Sequence, residues 1–575
     1  MRQDKLIELR QKFGRRKSAL ALERSKVSPE WAELYNYIYP RRGRLSGESP
    51  NGKAKFKLFD STAKKAVRIL AAGMQSGLTS PSQRWFTLLP GNPEMYDYKP
   101  MRQWCNEVED IVYTVLAGSN YYTCTHASYE EIGIIGTSAM MMLPDYEDVI
   151  RCHTFTGGEY YLGSSGTRGR IDVFYEDIQM TASQIASEFG TENLSVSVKE
   201  ALENNPDRWF KVAHAIEPND AYVRDEIGAF GFPFLSAYWE EGGEHDRFLG
   251  LSGFANFPVF APRWDFCSSD IYGYGPGDEC IEDNKTLQMM KRDYLNAVKK
   301  IVDPPLLADV AYQNDVLDFS PGEVNFVSMN GTSSARPIVP LLDLRVDMNA
   351  LLSGIADARQ SIRESYFVDL FMMVANAQDR DKTAREIAEL HEEKLSVLGP
   401  VLERLSKEQH SPSIEACVNY CREAGLLPEP PENLEDESLK IEYTSIFAQA
   451  QKMSGRAPLE QFISFTGHMM ASSPDLIDVL NMDAAVRRYA DLLSVPAEVL
   501  RSPEEVEDIR KQRAQAQAQQ EELAQAQQLA AATQQAAAGA KTMSETDVSG
   551  GNSLLDSLTG VFLGGEEKER GRTSD

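Results

Sequence analysis

Residues 281–305 read IEDNKTLQMMKRDYLNAVKKIVDPP. The run predicts a helix of about 21 residues that Asp303-Pro304-Pro305 stops, because proline cannot continue it. A second helix of similar length is expected from about Leu342 to Tyr366. Between them, residues 306–340 contain β-like pieces, LLADVAY and EVNFVSM, broken by Ser320-Pro321-Gly322 and Gly331. Two helices therefore flank a compact β-rich insertion, and the rest of the chain is organised around that unit.

Upstream, Leu6, Leu9, Phe13 and Leu20 stand at helical spacing within 4–26. A separate helix is expected after Ser28, which can cap it with Pro29 in the favoured first position. Trp31, Leu34, Tyr35 and Ile38 would form its apolar face. Arg41 to Lys57 reads as a loop. Asp60 or Ser61 opens a further helix running to about Ser76, whose Ala63, Ala66, Ala71, Ala72 and Gly73 are small enough to admit a close neighbour. From 80 to 280 helices mix with short strands, expected at MMMLPD, VIRCHTF, EYYLGSSGTRGRIDVFYE and FKVAHAIEPN.

Downstream, YFVDLFMMVANAQD is apolar and then polar, without clear caps. Residues 381–409 predict a long amphipathic helix with Ile387, Leu395, Leu398, Leu402 and Leu405 as its stripe and a kink at Gly399-Pro400. A proline-rich linker, LLPEPPENLEDE, follows, then several short helices over 445–500. Residues 503–540 are rich in Ala, Gln and Glu and predict a helix about 57 Å long. It has few apolar residues and so needs neighbours. The last ~35 residues have the composition of a disordered tail. The class is α+β, predominantly α.

The chain of 575 residues has room for two to four domains. It has no apolar run near the ~18 residues of a membrane span and no secretory signal at its charged start. Seven scattered cysteines suit reduced thiols made in a cytoplasm. The formal net charge is −27, unevenly spread: residues 1–70 hold 18 Lys and Arg against 7 Asp and Glu, a balance of +11, leaving −38 on the other 505. Proteins that grip nucleic-acid phosphates are usually basic overall. If this chain meets DNA, attraction must be local and most of its surface repels the polyanion.

Enzymatic motifs fail in detail. Gly47-Glu-Ser-Pro-Asn-Gly52-Lys53 matches a phosphate loop except that Ala54 replaces the Ser or Thr that would hold Mg²⁺. Its flanks also lack the required strand and helix, so a solvated loop is expected. Gly73-Met-Gln-Ser-Gly77 has charged flanks, so it reads as soluble close packing rather than membrane-helix pairing. Tyr272-Gly-Tyr-Gly-Pro-Gly277 reads as a turn leading into the helix at 281. Cys417 and Cys421 share a helix face without a second pair. Cys124, His126, Cys152 and His153 have zinc-binding atoms in no compact zinc spacing. No Ser/His/Asp or Cys/His arrangement stands out. Neither an enzyme nor a cofactor is expected.

Three stretches resemble the portal (head-to-tail connecting) proteins of short-tailed bacteriophages. LFDSTAKKAVRILAAGMQSGLTSPSQRWFTL resembles that family's N-terminal signature. YGYGPGDECIEDNKTLQMMKRDYLNAVKKIVDPPLL resembles its first channel helix. TAREIAELHEEKLSVLGPVLERLSKE, followed by GLLPEPP, resembles the helix after its channel loop. Order and spacing agree over roughly 1–510. The resemblance implies a portal fold assembled as a dodecameric ring. It implies a wing at 1–280 and 381–440, stem helices at 281–302 and 342–366, and a clip at 303–341. It further implies a channel loop at 367–380, a crown at 441–500, a helical barrel at 501–540 and a disordered tail at 541–575. Implied partners are further copies of the chain, double-stranded DNA held without sequence preference, the terminase large subunit, a tail adaptor or tubular protein, the major capsid and scaffolding proteins, and internal core proteins at the crown and barrel. The implied site is the capsid vertex of the virion, with no membrane, and the implied roles are DNA packaging, DNA ejection and nucleation of the procapsid.

A conduit must hold DNA loosely, since each phosphate gripped by a cation adds friction. Candidates to centre the duplex are Lys285, Lys291, Arg292, Lys299 and Lys300 on the first stem helix, and Arg345, Arg359 and Arg363 on the second. Asn376, Gln378 and Arg380 on the channel loop could touch phosphates without reading sequence. Each cation has a plainer role open to it, ion pairing between subunits. Two other functions stay open: an ATPase using Gly52-Lys53, and a DNA-binding virion protein acting through the basic residues 1–70.

Overall fold

The computed structural model describes residues 2–45, 57–92, 96, 98–167, 170–224, 226–243, 247–302, 306–308, 338–340, 347–377, 397–431, 439–445, 483–484, 486, 503–545, 547–548 and 552–553. Met1–Ser494 and Val495–Asp575 form separate compact units. The phosphate-loop-like segment, most of the proposed clip, nearly all of the proposed crown, and residues 378–396 lie outside the described residues.

The first unit is α+β. Its N-terminus is one helix, α1 (Arg2–Ile38), not two. Pro29 sits inside it, and Ser28 does not cap a new helix: its hydroxyl donates to the Arg24 carbonyl at 2.9 Å. Burial on both sides of the proline overrides the break, Phe13 and Leu20 before it and Trp31, Leu34, Tyr35 and Ile38 after it. α2 (Thr62–Leu78) has Ser61 in the cap position without a side-chain capping bond; Asp60 just before it steadies the first turn, its Oδ1 accepting from the Thr62 amide at 2.8 Å and hydroxyl at 2.6 Å. Ala63, Ala66, Ala71 and Gly73 are buried on it as its small-residue pattern implies, but Ala72 faces solvent.

After β1 (Phe86–Pro90), α3 (Lys99–Gly118) and α4 (Tyr121–Ile135), the expected strands appear. They are β2 (Ala139–Asp145), β3 (Val149–Phe155), β4 (Tyr160–Gly163), β5 (Val173–Thr181) and, past α5 (Ala182–Phe189) and α6 (Val196–Asn204), β6 (Trp209–Pro218). β7 (Phe234–Glu240) and β8 (Gly250–Phe254) complete an antiparallel meander in the order β4-β5-β6-β7-β8, while β9 (Val259–Phe260) joins β2 and β3. Phe13 of α1 packs into this meander against Tyr175, Trp239 and Phe248.

The helical pair follows: α7 (Pro276–Val302), β10 (Leu306–Ala308), β11 (Ile338–Pro340) and α8 (Met348–Ser365). β10 and β11 are antiparallel partners, so the insertion does return on itself. Residues 367–380, expected as a loop, are helical over α9 (Val368–Ala377), because Val368, Leu370 and Phe371 bury against the core. The amphipathic helix is described from 397 to 405 (α10), with Leu398, Leu402 and Leu405 buried. It passes through a π-turn at Ser406–His410 into α11 (Ser411–Glu423). β12 (Leu439–Tyr443) returns across more than 340 positions to pair antiparallel with β1.

In the second unit, α12 (Pro503–Glu545) runs five residues past its expected end. Its leucines Leu523 and Leu529 are exposed. Asp547–Val548 (β13) then pairs with Asn552–Ser553 (β14) inside the stretch expected as a tail.

Candidate functional site

α7 and α8 are antiparallel. Gly354 lies against Met290, and nearer the base Ser361 donates to Asp283. The packed base of α7 follows helical spacing, with Gly277, Cys280, Asn284, Leu287 and Gln288 buried. Beyond Gln288 none of its described residues is buried. Met289, Leu295, Ile301 and Val302, together with Leu352 of α8, are exposed apolar side chains on one two-helix arm.

Polar groups lock the base. Gln288 Oε1 accepts from the amides of Phe59 and Asp60 at 2.8 and 3.0 Å, and its Nε2 donates back to the Asp60 carbonyl at 3.0 Å. Asn284 Nδ2 donates to the Tyr37 carbonyl at 2.9 Å. Arg359 reaches Asp60 Oδ2 from α8. Burial pushes the Asp60 carboxyl up, but bonds from Thr62 and Arg359 outweigh it and hold the group below its ordinary value. α9 seats on α2 at Gly73, where a Cβ would overlap the Phe371 side chain. Gly73 of the Gly-x-x-x-Gly run therefore serves close packing of one helix of this chain on another.

Most of the candidate cations are taken up inside the chain. Lys285 pairs with Glu33 at 2.7 Å and Glu282 at 2.8 Å. Arg292 contacts Asp293 at 3.4 Å, Arg359 pairs with Asp60, and Arg363 pairs with Asp369 at 3.0 Å. Lys291 lies over the Tyr294 ring. Lys299 and Lys300, exposed in the last turn of α7, have no carboxylate partner among the described residues; that position also complements the helix dipole. Asn376 lies in α9, and Arg345, Gln378 and Arg380 are outside the described residues.

The basic N-terminal segment is likewise engaged. Lys12 and Arg16 pair with Glu217, Lys17 with Asp177 and Glu241, and Arg42 with Glu130 and Glu131. Arg24 donates to the Gly158 and Tyr160 carbonyls. Much of its positive charge is structural, tying α1 and the segment after it to the acidic sheet and to α4.

One arrangement was invisible in the sequence. Glu176, His214 and Ser236 come from adjacent strands. His214 Nδ1 is 2.8 Å from Glu176 Oε1 and Nε2 is 2.9 Å from Ser236 Oγ. The connectivity is that of a hydrolytic triad, but His214 and Ser236 are each 1% exposed, so the hydroxyl is closed to substrate. The cross-strand pairing of Glu176 with His214 places this relay, and no motif spacing announces it. Thiols and imidazoles do not converge on a metal: Cys124 Sγ donates to the Cys152 carbonyl, His153 packs on Phe155, and no group of three or more His, Cys, Asp or Glu among the described residues could hold one. Every cysteine is a free thiol. The expected turn is shorter than Tyr272–Gly277, because α7 already begins at Pro276, five residues before the expected helix; Gly275 and Gly277 press against the backbone of residues 132–136 there.

No described helix is long and apolar enough to cross a membrane. Residues 10–500 match the family model described as bacteriophage head to tail connecting protein. The chain is 36% identical over 538 residues to the portal protein of Salmonella phage epsilon15, covering 92% of this chain and 95% of that one. It is 34% identical over 551 residues to the probable portal protein of Bordetella phage BPP-1, covering 95% and 97%.

Proposed function

The chain belongs to the bacteriophage head to tail connecting protein family, and on that premise we propose that it performs the portal function as a structural conduit rather than an enzyme. In this reading twelve copies close into a ring at the capsid vertex of the virion, with α7 and α8 as the stem. The segment between them is the clip that docks the terminase large subunit and later the tail adaptor. Capsid and scaffolding proteins contact the ring during procapsid assembly, and internal core proteins meet the crown and barrel. The chain is made in the host cytoplasm.

The observation that carries the mechanism is the pairing of the stem cations. With Lys285, Arg292, Arg359 and Arg363 held by carboxylates of the same chain, the arm offers DNA few strong phosphate grips. A chain carrying −27 overall repels the duplex from around a closed bore, so DNA slides along the axis, with Lys299 and Lys300 left to centre it. α9 and the residues after it restrain packaged DNA. The alternative, DNA binding through residues 1–70, is disfavoured by how many of those cations are already bonded to the chain's own carboxylates and carbonyls.

Negative-stain images of purified protein test the assembly, and annular particles with a central hole are expected. Packaging with residues 371–378 shortened tests the gate. Normal filling and normal retention of DNA would remove α9 from that role.

A further inference from the structure

One cationic cluster is not consumed by the contacts above. Where α1 crosses the five-stranded sheet it borders a cavity of about 620 Å³, lined by Arg10, Gly14, Arg15 and Lys17 on the helix side and by Trp239 and Glu241 on the sheet side. Arg10 is 4% exposed and lies 4.7 Å over the Trp239 ring, yet among the described residues it makes no ion pair, and its buried Nε has no hydrogen-bond partner. A buried guanidinium in that condition is costly unless something else supplies the acceptor.

Glu241 favours the Arg10 charge from a distance, but no carboxylate among the described residues comes within ion-pair reach of it. Lys17 bonds both Asp177 and Glu241, and Lys211 bonds the same two at 3.1 and 2.7 Å. Two ammonium groups thus balance two carboxylates, and Arg10 and Arg15 remain in excess. Arg15 is exposed, with no partner among the described residues. Gly14, between them, keeps the space open: a Cβ there would stand 3.2 Å from Arg10 Nη1 and touch nothing else within 4 Å. Glycine in mid-helix is unfavourable relative to alanine, so the opening is held at a cost in helix stability.

From this geometry we infer that the cavity between α1 and the sheet is a binding site for a phosphate group, free or carried on a nucleic-acid backbone. The aromatic walls do not offer a stacking surface, since Trp239 is 2% exposed and Tyr161 already carries Arg24 over its ring at 3.8 Å. Recognition therefore falls on charge. Guanidinium forks match phosphate oxygens, and a phosphate brings more oxygens and more negative charge than a carboxylate to serve Arg10 and Arg15 together. The site stands apart from the portal reading and survives its failure.

The test is binding of inorganic phosphate to the full-length chain, followed by calorimetry against chloride at matched ionic strength. Saturable binding in the millimolar range or tighter is expected. Arg10→Gln should weaken it at least tenfold and Arg15→Gln about threefold. Because Arg10 also covers Trp239, Gly14→Leu provides a second blocking variant that leaves both arginines in place, and it should abolish binding while circular dichroism stays unchanged. A short DNA duplex that displaces phosphate would identify the backbone as the source; failure to displace it would assign the site to the free ion. Equal response to phosphate and chloride, wild-type affinity in all three variants, or acetate binding as tightly as phosphate would overturn the assignment.

Discussion

Arg359 grips Asp60 with two nitrogens on one oxygen, Nη2 at 2.6 Å and Nε at 3.1 Å from Oδ2. The other carboxylate oxygen steadies the first turn of α2 through Thr62. One side chain thus fastens the base of α8 to the start of α2, beside the Gln288 bonds that fasten α7 to the same segment.

Removing that carboxylate should be felt. Asp60→Ala takes away the bonds to Thr62 and leaves Arg359 without its partner, at an expected cost of about 2 kcal/mol. The pH dependence follows from the direction of the shift. Asp60 is held below its ordinary value in the folded chain, so its contribution is present above the unfolded value near ~3.9 and is lost as pH falls through the lower folded value. Denaturant midpoints between pH 2 and 5 should fall less steeply in Asp60→Asn than in wild type. Parallel curves would refute the linkage.

Gly73 and Phe371 should behave as one unit. Gly73→Ala forces a methyl into the Phe371 side chain and is expected to destabilise by about 1–3 kcal/mol, although alanine favours a helix. Phe371 is fully buried, so Phe371→Ala alone should cost about 3–5 kcal/mol. In the double variant the clash is gone, and the total should fall short of the sum of the singles by at least about 1 kcal/mol. Additivity in chemical denaturation would show that α9 does not rest on α2 through this pair.

These two contacts show where the sequence was readable. The end of α7 at Val302, the start of α2 beside Asp60 and the strand around Cys152 were legible because each carries a local signal: prolines that follow in the sequence, an accepting carboxylate, an alternation. The unbroken α1 was not, because distant burial of Phe13 and Trp31 overrides Pro29. β1 pairing with β12, the helix at α9 and the Glu176–His214–Ser236 relay were hidden because each depends on partners far away in the chain. The candidate cations of the two helices could be named from the sequence, but carboxylates that pair with them, Glu33 and Asp60 among them, lie outside the two helices and gave no periodic sign.

His410 supplies a second source of acid sensitivity, of the same sign as Asp60 but caused by burial rather than by bonded partners. It is buried beside Tyr129, whose hydroxyl is 2.8 Å from Nε2, and Trp85 packs edge-on against its ring. Burial drives its value down from 6.5 to about 3. Between those limits the unfolded chain binds a proton that the folded chain refuses, so stability rises with pH from about 3 to about 6.5, by at most about 1.4 kcal/mol per unit. A His410→Gln chain should lose stability overall yet show a flatter profile between pH 4 and 6. An unchanged slope would place the proton uptake elsewhere.

The outer arm should report assembly rather than folding. Leu295 is 45% exposed and Ile301 48% exposed, so charging them removes little from the isolated chain. Each of Leu295→Asp and Ile301→Asp is expected to change its stability by less than about 0.5 kcal/mol. If the proposed ring covers these positions, burying an aspartate there costs far more because it must lose its water or its charge. Repeated around every interface, that cost should shift the population from annular particles to single chains. Sedimentation and negative-stain images of the double variant would show this as a loss of rings with unchanged circular dichroism. Rings at wild-type abundance would mean that the exposed apolar residues of α7 face solvent in the assembled particle too.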